Sequence, residues 1–429
     1  MDNIFLFSKA LKVTDPWYIE DIEFDPLQHR LNIRINFKKG ATFEYQDEST
    51  HDSKRYKAYD TEEKIWRHLN FFEYECYLIV RTPRIKPDSG GIKLVLPSWG
   101  GNVYGFTLMY EAYLLQLCKH MPINQVAKMS KTYDAKLWNL LDCYIQKGLY
   151  EADHTHVTCL GIDETSRKRG HEYITLFVDL ENRKTIHIAP GKGHETITTF
   201  VHSFQDSKGK VDHITDVSCD MSPAFIKGIK QEFPKAQITF DRFHIMKLVN
   251  EAVDAVRRAE VSAQPALRKS RFALLKNEAN LTQSQKKKRD YISQLNLKTS
   301  RALRMRDAFQ EVYKAVTREV FTHSLHEWYK WIVRSQLEPF KKLGRTIKKH
   351  MSGILQWKIS QINNGILEAL NSIVQAAKRK ARGYGEKYFK IMAYFLTGKL
   401  NFKMFNSYLP THFFLRYKSL NMQKIICKK

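Results

Sequence analysis

Cysteine is sparse in this chain and badly spaced for any framework. No two of Cys76, Cys118, Cys143, Cys159, Cys219 and Cys427 lie within four positions of each other. That spacing excludes a C-x-x-C zinc ribbon and a disulfide scaffold, and free thiols fit a reducing cytoplasm. Long hydrophobic runs are missing too: no stretch approaches the roughly 18 apolar residues of a membrane span. Met1 to Ala10 has no basic region followed by a long apolar run, so no signal peptide is expected. There is no internal repeat of fixed period and no low-complexity block. Acidic residues are in short supply: 45 Asp+Glu stand against 70 Lys+Arg, a formal net charge of +25. A field of that sign attracts polyanions, DNA first among them. RNA-binding, ribosomal and anionic-membrane proteins share the bias, so charge alone does not choose between them.

What is present is a foldable chain. Its 429 residues, 43% hydrophobic and 12% aromatic, suffice for two to four domains with a substantial core. Residues 1–95 hold short strand-like runs, Leu31 to Ile35 and Glu75 to Val80, before the break Pro87-Asp88-Ser89-Gly90-Gly91. From about 105 to 148 the period becomes helical. Met121-Pro122 interrupts it, and Leu137, Leu140, Leu141, Tyr144 and Ile145 mark a second helix. This pattern fits a helix-turn-helix and a plain helical hairpin equally.

Strand–helix alternation follows over 157–260. Val157 to Ile162 predicts a strand ending at Asp163. Tyr173 to Leu180 and Lys184 to Ala189 flank the turn Glu181-Asn182-Arg183, so three antiparallel strands are expected. A helix near 194–206 precedes a strand from Ile214 to Cys219 ending at Asp220, and Ser222-Pro223 suits the start of another helix. Gln237 to Phe240 predicts a strand ending at Asp241. The helix after it places Ile245, Leu248, Val249, Ala252, Val253 and Val256 on one face. Residues 260–360 read as helical and strongly basic, with Lys286-Lys287-Lys288-Arg289 as one example.

Asp163 and Asp220 thus fall at strand ends, where a rigid backbone can project a side chain into a crevice. An Asp in that position also starts turns and caps helices, and Ser222-Pro223 makes capping a direct competitor for Asp220. Glu368 lies on a helix whose Ile366, Leu367, Leu370, Ile373, Val374 and Ala377 share one arc. Asn364, Glu368, Asn371 and Gln375 share the other. A carboxylate among neutral amides, just upstream of Lys378, Arg379, Lys380 and Arg382, is unlike a solvated face of mixed charges. It fits a metal-facing acid on a helix that runs on into phosphate contacts. An exposed Glu on an amphipathic helix has the same pattern. Phosphodiester chemistry can be run by two divalent ions, and hard cations require carboxylate oxygens. Three acids from separate elements are enough.

At these residues the chain resembles the bacterial insertion-sequence transposases of the ISL-three family. The likeness runs from about Tyr59 to Pro410. It rests on Tyr59-Asp60-Thr61 with Trp66 to Phe72, Gly161-Ile162-Asp163-Glu164, Cys219-Asp220-Met221-Ser222 and Asp241-Arg242-Phe243-His244. Leu337-Glu338-Pro339, Asn364 to Asn371 and Lys378 to Tyr384 complete it. The resemblance implies an α/β fold with a ribonuclease-H-like catalytic core interrupted by a large, mostly helical insertion. A small α+β region and a helix-turn-helix-like DNA-binding region precede that core. The implied boundaries are 1–95 for the α+β region, 96–150 for the helical one and 151–260 for the first part of the core. The insertion spans 261–360, the core helix with the third acid 361–405, and a tail 406–429.

The resemblance further implies catalytic, metal-holding Asp163, Asp220 and Glu368 with Mg²⁺ or Mn²⁺. Arg242 and His244 are expected near the site, and Lys378, Arg379, Lys380 and Arg382 on DNA. The expected partner is double-stranded DNA, both element ends and target, engaged by a homo-oligomer in the bacterial cytoplasm at the nucleoid, with no membrane. The family's cysteine-rich zinc segment has no counterpart in Tyr45 to Thr50 or Pro87 to Gly91, so no zinc is expected. The tail after Thr411 matches nothing in the family. These two departures keep a catalytically inactive DNA-binding remnant open as the alternative, and a structure-specific nuclease on the same fold is a third reading.

Overall fold

A computed structural model of the chain describes residues 3–46, 53–101, 103, 105–168, 172–362, 365–380 and 385–400. The chain divides into two compact units, one built from Met1–Tyr150 and Ala377–Leu396, the other from Glu151–Ala376.

The first unit opens with α1 (Asn3–Ala10), β1 (Trp17–Asp25), β2 (Arg30–Phe37), the hairpin β3 (Thr42–Gln46) and β4 (Ser53–Lys57), β5 (Asp60–Arg67), β6 (Glu75–Ile85) and β7 (Lys93–Leu94). Strands β1-β2-β6-β5 form a sheet, with β7 on β6. Parallel pairing of β2 with β6 sets Leu31 beside Cys76, Ile33 beside Leu78 and Ile35 beside Val80. All six are buried, because alternate residues of a strand share a face. Trp66 and Trp99 close this core edge to face, 5.5 Å apart.

Three helices follow, α2 (Leu108–His120), α3 (Ile123–Met129) and α4 (Asp134–Tyr150). The expected break at Met121-Pro122 is present. The short α3 was not separable by periodicity, since seven residues give barely two turns to repeat over. Glu111 is buried on α2 and accepts from the Tyr144 hydroxyl at 2.8 Å and from the Val103 backbone N–H at 2.6 Å.

The second unit begins with β8 (Cys159–Lys168), β9 (Glu172–Asp179), β10 (Lys184–Pro190), α5 (Glu195–Asp206), β11 (Asp216–Cys219), α6 (Pro223–Glu232), β12 (Gln237–Phe240) and α7 (Arg242–Glu260). Its sheet has the order β10-β9-β8-β11-β12. The pairs β10–β9 and β9–β8 are antiparallel; β8–β11 and β11–β12 are parallel. On one face Leu160, Ile162 and Phe177 pack under α5, with the Phe177 and Phe200 rings stacked at 4.2 Å. Residues 261–360 add α8 (Arg271–Leu275), α9 (Gln283–Gln294), α10 (Lys298–Val312), α11 (Arg318–Arg334), α12 (Glu338–Lys349) and α13 (Met351–Ser360), with no strand among the described residues. Then come α14 (Gly365–Lys380) and α15 (Glu386–Thr397). In the first unit, Tyr388 of α15 stacks on Trp138 of α4 at 4.3 Å. Among the described residues no helix is long and apolar enough to cross a membrane.

One fully buried cation organises the helical stretch. Arg306 on α10 donates to Asn250 Oδ1 (2.8 Å), Asp307 Oδ1 (2.9 Å) and the Leu275 carbonyl (2.9 Å). It thereby ties α10 to α7 and to the end of α8. Replacing Arg306 with Met keeps bulk but removes the donor of the part-buried Asn250 Oδ1 and of the Leu275 carbonyl. The Arg306→Met variant is expected to lose about 3 kcal/mol of stability in urea unfolding. A loss below about 1 kcal/mol would show that the network is not structural.

Candidate active site

The site begins with a register. The parallel ladder pairs Ser218 of β11 with Gly161 of β8, and Cys219 with Phe240 of β12. Two residues beyond Gly161 is Asp163, two beyond Ser218 is Asp220, and one beyond Phe240 is Asp241. Three aspartates therefore stand level on three adjacent strands, at the edge where parallel pairing stops. Strand-end side chains of parallel ladders open into crevices for this reason.

Asp163 does not end its strand, contrary to the expectation from sequence. Strand β8 runs on to Lys168 because antiparallel β9 keeps pairing with it, Asp163 opposite Leu176 and Ser166 opposite Tyr173. Asp220 does lie just past β11. It accepts the Ser222 backbone N–H at 2.9 Å, so the turn-forming and outward-facing readings of this residue coexist. Asp241 caps α7, accepting the Phe243 N–H at 2.8 Å through one oxygen, while the other is 3.0 Å from His244 Nδ1.

Helix α14 lies along the second face of β8. Leu367 packs against Gly161, where a Cβ would come within 2.8 Å of the Leu367 Cδ2 and of Leu180 Cδ2. Asn371 donates its amide to Asp163 Oδ2. Gln375 donates at 2.8 Å to Thr165 Oγ1 and to the Ser166 carbonyl. The match is geometric: four residues of helix rise about 6 Å and two residues of strand about 6.6 Å. Every fourth helix residue therefore meets every second strand residue.

The amide ridge seen in the sequence is consequently a packing face. Leu367, Leu370 and Val374 are buried beside it, and Ile373, expected inside the apolar arc, is turned out and 45% exposed. Seating the ridge on β8 rotates that side of the helix toward solvent.

Electrostatics join the acids. Burial, aided by the charges of Asp241 and Asp220, pushes the Asp163 carboxyl from its ordinary 3.8 up to about 7; nearby His244 and the Glu164 N–H pull the other way. Hydrogen bonding to Asp241 raises His244 above the usual histidine range, against the cost of its burial. The charges of Asp241, Asp163 and Asp220 add to the rise. Glu368 is raised by partial burial and then by Asp241. It lines, with Asp241 and Arg242, a cavity of about 980 Å³. Thus Asp163, Asp220, Asp241 and His244 form one neighbourhood, and Glu368 joins it through Asp241 and His244. Among the described residues no three His, Cys, Asp or Glu side chains are close enough to form a ready-made metal cage.

Arg242 lies over the Tyr313 ring at 4.7 Å. Lys378, Arg379 and Lys380 form the last turn of α14. Asn364, Arg382 and residues 406–429 lie outside the described residues. Asp241 was missed as a site residue. Its signal was present in the sequence: it is a third acid directly following a short apolar strand, on the same pattern as Asp220.

The donor set suits a hard divalent cation. Burial and the neighbouring acid charges disfavour the charged forms of Asp163 and Glu368, a cost that a cation relieves. Beside Asp163, the buried Asn371 Oδ1 has no hydrogen-bond partner. It is one further oxygen of the required kind.

Comparison with known proteins gives the family. The model described as "Transposase", for DDE transposases of the ISL-three family, matches residues 160–393. The chain is 27% identical over 355 residues to the transposase for insertion sequence element IS1001 of Bordetella parapertussis, covering 79% of this chain and 86% of that one. It is 23% identical over 422 residues to the transposase for IS1557 of Mycobacterium tuberculosis, covering 90% and 93%. A solved structure of the simian T-cell lymphotropic virus intasome with a PP2A regulatory subunit aligns at 13% identity over 40% of this chain and 70% of that chain. Its TM-score of 0.16 is too low to bear on fold. This chain belongs to the ISL-three family of insertion-sequence DDE transposases.

Two outcomes are expected from the site as built. Between about pH 4 and 7 folded Asp163 holds a proton that the unfolded chain has released, so rising pH weakens folding across that window and not above it. Without metal, Asp163→Asn is therefore expected to gain stability over the parent progressively from pH 5 to 7, then plateau, in urea midpoints. A difference independent of pH would contradict the raised carboxyl. Gly161→Ala is expected to cost about 1–3 kcal/mol by wedging Leu367 off β8, measured by the same unfolding; a neutral result would mean that α14 is not tightly seated there.

Proposed function

We infer that Asp163, Asp220 and Glu368 are the catalytic carboxylates of this transposase, acting on insertion-sequence ends with Mg²⁺ or Mn²⁺. The observation that carries this reading is the level row Asp163, Asp220 and Asp241, with Glu368 facing the same Asp241–His244 pair. Asp163, Asp220 and Glu368 would hold the ions, with Asp241 beside them. When bound, such ions supply Lewis-acid polarisation of the phosphate and clamp attacking and leaving oxygens.

The chain's own residues keep the acids ready. Asn371 and the Glu164 N–H fix the Asp163 carboxylate from two sides, the Ser222 N–H fixes Asp220, and the Phe243 N–H fixes Asp241. Asp163, Asp220 and Asp241 are thus each held by the protein, which limits their rearrangement during the reaction. His244, paired with Asp241, puts a protonatable ring beside Asp163 and Asp220 and offsets part of their repulsion.

The strand order β10-β9-β8-β11-β12, antiparallel then parallel, supports a ribonuclease-H-like core, with α8 to α13 as its helical insertion. A four-residue turn, Ser130 to Tyr133, joins α3 to α4 and supports a helix-turn-helix role for 96–150. Lys378, Arg379 and Lys380, with Arg382 just beyond, are proposed phosphate contacts. Residues 1–95, 151–260, 261–360 and 361–405 are proposed as the corresponding modules. Synapsis of two ends implies a homo-oligomer on DNA.

Asp163→Asn is expected to reduce Mg²⁺- or Mn²⁺-dependent strand cleavage of an end-containing duplex to background while leaving DNA affinity within about twofold. A variant that cuts like the parent would remove Asp163 from the chemistry. A parent that binds ends without nicking them would favour the inactive remnant. Joined products made by a liberated 3′-hydroxyl exclude a plain nuclease.

A further inference from the structure

The cavity beside Glu368 has no excess of positive charge. Asp241, Glu278, Glu311 and Glu368 line it against Arg242, Lys314 and Lys358. A polyanion is not drawn in there by charge alone; it must be held from outside. A second cavity, of about 780 Å³, adjoins it, since Phe243 and Met246 line both. Its charge is the reverse: Lys247, Arg257, Arg258 and Arg271 face Glu251 and Asp254.

The arginines are arranged around one carboxylate. Asp254 is nearly buried. It takes Arg257 at 2.8 Å, Arg258 Nε at 3.4 Å and Arg271 Nε at 3.7 Å. Arg257 is mostly covered and serves the fold. Arg258 and Arg271 pair with the acid more loosely, nearest through Nε, and their side chains stay 67% and 61% exposed. Three guanidiniums on one carboxylate exceed what its neutralisation needs. The shared acid gathers two exposed guanidiniums whose unused N–H donors can take phosphate oxygens. The exposed Phe243 and Lys247 continue the same face of α7 toward the acids.

We propose that Arg258 and Arg271, gathered around Asp254, form a DNA-phosphate clamp at the far end of a track along α7. The track holds the duplex whose scissile phosphate sits at the acid row. This rests on the transposase reading of that row. The distance sets a reach: from Phe243 to Arg257 α7 rises about 21 Å, which is about six base pairs of duplex. Backbone contacts of this kind fix register and orientation and carry no sequence information.

The test uses the full chain and fluorescent end-containing duplexes. Arg258→Ala/Arg271→Ala is expected to weaken binding at least about tenfold at 0.1 M salt and to lower the slope of log K against log salt by about 2. Arg258→Lys/Arg271→Lys should recover the slope but only part of the affinity. On duplexes extending fewer than about six base pairs from the cleavage point, parent and alanine variant should bind alike. Unchanged affinity and slope in the alanine variant, with parent cleavage intact, would overturn the clamp and leave the transposase reading standing. So would equal weakening on short and long duplexes. Loss of metal-dependent cleavage in the parent itself would instead count against the acid row.

Discussion

The site depends on the seating of one helix on one strand. Helix α14 meets β8 at Leu367 on Gly161, Asn371 on Asp163 and Gln375 on Thr165. The contact works because helix and strand advance by nearly equal steps when counted by fours and by twos. It also explains a glycine in the middle of a buried strand: any side chain there would lift the helix. The same seating carries Glu368, one turn before Asn371, toward Asp241 and His244 from a part of the chain remote in sequence.

Around that contact the chain sets charge against charge. A protein with a large cationic excess gathers Asp163, Asp220, Asp241 and Glu368 in one place, and part of their repulsion is met by His244. Acids brought together in this way raise one another's affinity for protons and for divalent ions alike. The raised carboxyl of Asp163 expresses that constraint. Structural stability is drawn from elsewhere, from the stacked aromatics under α5 and from the Arg306 network that binds α10 to α7.

Much of the α/β pattern was legible in the sequence. The Gln237–Phe240 strand, the Ser222-Pro223 helix start and the apolar face of α7 follow from local periodicity and backbone preference. Local signals fail where a neighbour decides the outcome. Strand β8 continues past Asp163 because β9 pairs with it, which apolar content alone does not reveal. Ile373 lies outside because the amide ridge beside it is held by β8. Asp241 looked like a strand terminator until the parallel register set it level with Asp220.

By itself, then, the amino-acid order determined most element types over 157–260, the cationic balance and the identity of the acids that follow short apolar strands, since all of these depend on residues a few positions apart. The tertiary structure alone decided which acids share a neighbourhood, which face of α14 is covered and where the arginines gather around Asp254. Those outcomes are set by strand register and helix seating between segments remote in the chain, and no local period encodes them.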